Sequence, residues 1–151
     1  MRAVLCLTLL ALSCIAPPVP AGEPGVLDLR SSELSHPLEL SGIWQYRPGL
    51  GKEMGPSVAF PIPARWNAPP LTRGCGTLRL RILLPAGAGG LALRLPDIAT
   101  ASRVLINGHI AVETGQVACA EEGVVERLQP QLLPLADAET IDLEIQMANF
   151  A

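Results

Sequence analysis

The chain has 151 residues, of which 49% are hydrophobic and 17% charged, and its formal net charge is −3. That length suits one domain, the hydrophobic content argues against disorder, and the acidic balance leaves no basic footprint for nucleic acid and no polybasic patch for anionic lipid. Aromatic residues make up only 3%, so aliphatic side chains must fill the core, and the 15 prolines and 14 glycines favour short strands and turns over long helices.

Residues 1–21 read as an export signal. Arg2 is a minimal basic start, residues 3–16 are almost wholly apolar, and Val19-Pro20-Ala21 offers small residues for cleavage before Gly22. At 1.5 Å per residue the apolar run reaches about 21 Å, short of the roughly 30 Å hydrocarbon core, so a signal is the better reading than a membrane-spanning helix. Nothing later is as long, so no transmembrane segment is expected once the signal is removed. The expected location is periplasmic or extracellular. An alternative form of the signal anchors the chain by lipid, because Ala11-Leu12-Ser13-Cys14 loosely resembles a lipoprotein cleavage box with Cys14 as acceptor.

Residues 22–37 form a lead-in, within which 26–30 suits a short edge strand and 31–37 is polar and turn-like. The domain proper is expected over 38–151. Residues 38–46 alternate as a half-buried strand must, with Leu38, Leu40, Gly42, Trp44 and Tyr46 on one face. Proline- and glycine-rich loops follow at 48–56 and 61–73, with Val58, Ala59, Phe60 and Trp66 as apolar anchors. A strand over 77–84 points Leu78, Leu80, Ile82 and Leu84 inward and Thr77, Arg79 and Arg81 outward. Leu91, Leu93 and Leu95 form another inward row. Residues 103–106 and 109–113 then pair across Asn107-Gly108, since a type I′ turn needs φ > 0 at both central positions. The stretch 115–134 is less regular and carries an acidic cluster at Glu121, Glu122 and Glu126, with weak pairing expected over 124–128. In the last run Ile141, Leu143, Ile145 and Met147 point inward, and Asp142, Glu144 and Gln146 outward. Short strands about ten residues apart, with turn chemistry between them, indicate an antiparallel β-sandwich or jelly roll.

Removing the signal takes Cys6 and, with cleavage before Gly22, Cys14, and leaves Cys75 and Cys119 as a candidate disulfide, the alternative being two separate buried thiols. A bridge there would be worth roughly 3–4 kcal/mol in the loop-entropy model. Trp44 and Trp66 could stack on a sugar ring. Trp44 sits in the inward register and reads as core, whereas Trp66 lies in a loop. Arg73, Arg79 and Arg81 are the remaining candidate ligand contacts, because a planar guanidinium recognises carboxylate or hydroxyl groups. If the outward faces at 79–81 and 94 lay on adjacent strands, they would form a positive stripe. His36 and His109 fall in a loop and beside a turn. No ligand spacing suggests a metal, and no nucleophile elbow or placed carboxylate pair suggests catalysis, so neither cofactor nor enzyme activity is expected.

Six motifs occur in order: Leu40-x-Gly42-x-Trp44, Pro61-x-Pro63-x-x-Trp66, Gly74-x-Gly76-Thr77-x-Arg79-Leu80-Arg81, Leu91-x-Leu93-x-Leu95-Pro96, Val104-x-x-Asn107-Gly108 and Ile145-x-Met147-x-Asn149-Phe150. Together they resemble the galactose-binding-like jelly roll that forms the sugar-binding domain of β-galactosidase and β-glucuronidase family enzymes. They are still more similar to the exported N-terminal domain of bacterial 7TM-DISM-type sensor proteins, which Leu27-Asp28-Leu29-Arg30 and Asn149-Phe150 favour. Cys75 departs from the pattern. The pattern also continues past Asn149-Phe150 with a glycine-containing turn and a last strand, so the expected sandwich lacks that strand and leaves one sheet edge unpaired. The resemblance implies an exported, non-catalytic, sensor-type module. It would capture a glycan or other small molecule, or a partner protein, through loops at one end of the sandwich. The alternative is a truncated or vestigial fragment of a longer membrane sensor with only a structural role.

Overall fold

The computed structural model describes residues 4–6, 23–63, 73–96, 98 and 101–150. Eleven strands are present among them: β1 (Val4–Cys6), β2 (Val26–Asp28), β3 (Leu38–Glu39), β4 (Gly42–Pro48), β5 (Val58–Ile62), β6 (Gly74–Leu83), β7 (Ala92–Leu95), β8 (Ala101–Ile106), β9 (His109–Thr114), β10 (Gln131–Pro134) and β11 (Thr140–Asn149). They make two sheets. The larger runs β5-β4-β6-β11-β8-β9, with β2 also on β6, and the smaller runs β10-β7-β1-β3. This is the all-β, largely antiparallel sandwich that the strand spacing predicts.

The two sheets close on one aliphatic core. Leu78, Leu80 and Ile82 of β6 and Ile141, Leu143, Ile145 and Met147 of β11 meet Leu40, Leu93 and Leu95 from the smaller sheet's side. Trp44 is fully buried among them, and its indole N–H donates to the Leu40 carbonyl at 3.1 Å. That bond satisfies the one polar atom of the side chain, so Trp44 serves the core and is closed to any ligand.

The single strand expected over 38–46 is divided. β3 belongs to the smaller sheet and β4 to the larger, and the chain crosses between them at Leu40-Ser41. Gly42 has φ 127°, a conformation that costs a glycine little and an L side chain much, which lets the chain turn the corner without breaking its alternation. β10 falls in the stretch expected to be irregular and pairs with β7 at a sheet edge, where its Pro134 is tolerated. The lead-in contributes β2, which pairs in parallel with β6 just beyond the segment bonded to β4, and Leu29 after it enters the core.

At the hairpin, Asn107 and Gly108 have φ 51° and 81° and Ile106 faces His109, the two-residue turn read from the sequence. The Asn107 side-chain carbonyl also accepts the Asp142 backbone N–H at 2.8 Å, and the Asn107 N–H donates to the Asp142 carbonyl at 2.8 Å. The turn is therefore tied to β11 as well as setting its own register.

Candidate functional site

Alternation along the strands of the larger sheet sends one row of side chains to the core and the next to the outer face. That outer face has two different halves. At one end, Ala101 and Ala148 are fully buried under a small second cluster with Val117, joined by Leu50, Val124 and Phe150. The cover is the 115–128 excursion. It is held by paired bonds between Gln116 and Val125, and by Cys75 and Cys119, whose sulfurs are bonded with their Cα atoms 4.9 Å apart. Thr77, expected outward, does lie on this face but is fully buried, its hydroxyl donating to the Gly49 carbonyl at 2.9 Å.

At the other end the face is open and forms a shallow groove of about 430 Å³. Its floor carries Gln45 from β4, Arg79 and Arg81 from β6, and Asp142 and Glu144 from β11. Residues 23–26 form one wall, and Leu105 with Gly108 at the hairpin turn forms the other. Gly25, at φ 80°, lies so close to Gln45 that a Cβ there would sit 2.7 Å from its Cγ, and the Gln45 amide donates to the Pro24 carbonyl at 3.2 Å. These contacts fix the first wall.

The cross-strand register decides the charges. Arg79 lies opposite both Gln45 and Glu144, and Arg81 lies opposite Asp142. Arg81 donates to both carboxylate oxygens of Asp142, at 2.7 and 3.3 Å, which pushes its pKa up. Arg79 donates to Glu144 at 2.8 Å. From Glu144 the chain of bonds continues through Gln146 to Arg103 and then Glu113, crossing β11, β8 and β9. With Glu23 at the rim, the groove holds three carboxylates against two guanidiniums. It is polar, preorganised and slightly negative.

Of the residues singled out in the sequence, Arg79 and Arg81 meet in this groove. Arg73 is placed elsewhere: it pairs with Glu121 at 2.6 Å and lies 6.0 Å from the centre of the Phe150 ring, beside the excursion. Trp66 and Cys14 lie outside the described residues. The positive stripe does not form. Arg94 is on β7 in the other sheet, and Arg79 and Arg81 each face a carboxylate rather than another cation. His36 and His109 are exposed. Among the described residues no group of three or more His, Cys, Asp or Glu is placed to hold a metal ion, and no helix is long and apolar enough to cross a membrane. Gln45, Asp142 and Glu144 complete the groove and were not singled out. Their signal was two outward arginines two residues apart on one strand and two outward carboxylates two residues apart on another, which set cation against carboxylate once the strands are neighbours; the antiparallel register then matches Arg79 with Glu144 and Arg81 with Asp142.

The class defined by this fold is an all-β sandwich domain, and its likeness to solved structures is one of that fold. Similar structures are a GH2 β-galacturonidase from Eisenbergiella tayi bound to galacturonate (18% identity, TM-score 0.50, covering 71% of this chain and 18% of that one), a β-D-glucuronidase from Dictyoglomus thermophilum (18%, 0.53, 73% and 19%) and a β-glucuronidase from Faecalibacterium prausnitzii (19%, 0.55, 74% and 20%). At these identities the likeness is one of fold, and the chain spans about a fifth of the length of these neighbours. No protein-family model and no curated protein matches the chain.

Proposed function

We propose that this chain is an exported, non-catalytic binding module of sensor type, and that the groove on the larger sheet takes a small polyhydroxylated ligand such as a neutral sugar. The observation that carries the reading is the joint presentation of Gln45, Arg79, Arg81, Asp142 and Glu144 in one concave site. Both arginines are held in place by carboxylates, and a guanidinium has more N–H donors than such a pairing uses. The carboxylates and the Gln45 amide supply the acceptors that sugar hydroxyls need. The excess of negative charge disfavours an anionic sugar, in contrast to the galacturonate bound by the Eisenbergiella tayi neighbour. The resemblance to the exported domain of 7TM-DISM-type sensors supports the sensor role, and the leader at 1–21 supports export. With lipid attached at Cys14, the same module would stay at a membrane surface.

Titration calorimetry and a glycan array test this. Neutral sugars should bind more tightly than their uronic acids, and Arg79→Ala and Arg81→Ala should each weaken binding about tenfold or more, the scale of a lost charge-assisted bond. Absence of binding across both screens would remove the reading. It would leave the second one, a truncated or vestigial fragment of a longer membrane sensor with only a structural role; the neighbours, in which the matched sandwich makes up about a fifth of the chain, support only that such a sandwich occurs within longer polypeptides.

A further inference from the structure

The middle of the smaller sheet is filled from an unexpected part of the chain. β7 and β3 are not neighbours in the sheet order; β1 lies between them and runs parallel to both, with Leu5 opposite Leu38 on one side and Leu93 on the other. Without β1, the two strands would stand about two strand spacings apart, roughly 9.5 Å, with backbone donors and acceptors facing across the gap. The flanks define what fits. Leu93 and Leu95 are buried and Arg94 between them is exposed, and Leu40 just after β3 is fully buried. An occupant must therefore offer alternating side chains, apolar toward the core, together with a peptide repeat that bonds on both edges. A sugar has no such repeat; an extended polypeptide does.

Residues 4–6 belong to the segment read as an export signal, so cleavage before Gly22 would take β1 away. We propose that the gap between β3 and β7 is a strand-acceptor site. In the uncleaved chain it is closed by β1, and in the exported chain it receives an extended apolar segment of a partner polypeptide, parallel to β7. This rests on the export reading and is independent of the groove. The uncleaved chain is self-blocked, which confines partner capture to the compartment where the signal has been removed.

Hydrogen exchange on the full chain tests the site. Leu5→Pro removes the bond-forming N–H at the centre of β1, and should raise exchange at 38–40 and 92–94 about tenfold or more while 140–149 keeps its protection. In a full chain carrying a protease site within 7–22, cleavage should allow a labelled synthetic peptide of residues 2–8, tagged with lysines for solubility, to bind saturably and restore protection at 38–40 and 92–94. The same peptide with Leu5→Pro should not bind. Unchanged exchange in the folded Leu5→Pro chain would overturn the proposal. So would a failure of the wild-type peptide to bind the cleaved chain, which decides the matter if the Leu5→Pro chain does not fold. N-terminal sequencing of the exported protein separates the two premises: a product that retains residues 4–6 refutes cleavage and the partner role with it, while leaving sugar binding in the groove untouched.

Discussion

Asp28 shows how much one neighbour can do on an exposed surface. Arg30 donates to its carboxylate from the side chain and from the backbone N–H, at 2.6 to 3.0 Å, and holds its pKa at about 2 against an ordinary 3.8. A lowered carboxylate pKa stabilises the fold above the unfolded value of 3.8, and the contribution fades as pH falls through 2. An NMR titration should find the Asp28 midpoint near 2, and Arg30→Ala should return it toward 3.8. Gly76 is a different kind of single-residue constraint. It lies under the Tyr46 ring, where a Cβ would overlap the ring and its hydroxyl. Gly76→Ala should therefore cost about 1–3 kcal/mol in a denaturant titration, the usual range for overpacking, although alanine suits a strand no worse than glycine does.

At the level of elements, β6 and β11 form the spine. They pair over their whole lengths, ten residues each, and carry core side chains on one face and the groove's ion pairs on the other. Those pairs are half exposed, so each contributes little to stability; their effect is to hold the arginines in one geometry. The disulfide works on another element, stapling the 115–128 excursion onto the face that it covers. Cys75→Ser with Cys119→Ser should lower stability by roughly 3–4 kcal/mol and raise exchange first within 115–128, and a thiol count on the denatured, signal-free protein should find none. Two reactive thiols in that count would refute the bridge. Both cysteines were legible as a pair. The excursion was not, because it contributes only Val117 and Val124 to the cover over Ala101 and Ala148, which Leu50 and Phe150 join from distant parts of the chain, and these residues share no period.

For the whole molecule, one core between two sheets should unfold as one unit. Trp66→Phe leaves Trp44 as the single tryptophan, and its fluorescence should lose its buried character at the same denaturant concentration at which the strand circular dichroism is lost. Separate transitions would show that the sheets unfold independently. The sequence by itself determined β6 and β11, legible because a half-buried strand must repeat every two residues, and the β8–β9 hairpin, legible from Asn107-Gly108 because a two-residue turn must admit positive φ, although its ladder shifts register between Val104 and Leu105. It also determined that Trp44 belongs to the core. Only the tertiary structure decided which strands are neighbours. Nothing local says that 38–46 divides between two sheets, that Arg94 faces away from Arg79 and Arg81, that Asp142 and Glu144 meet those arginines across β6 and β11, or that residues 4–6 enter the smaller sheet. The physical reason is that alternation assigns a side chain to a face, whereas strand order is set by non-local backbone bonds and by closure of the shared core.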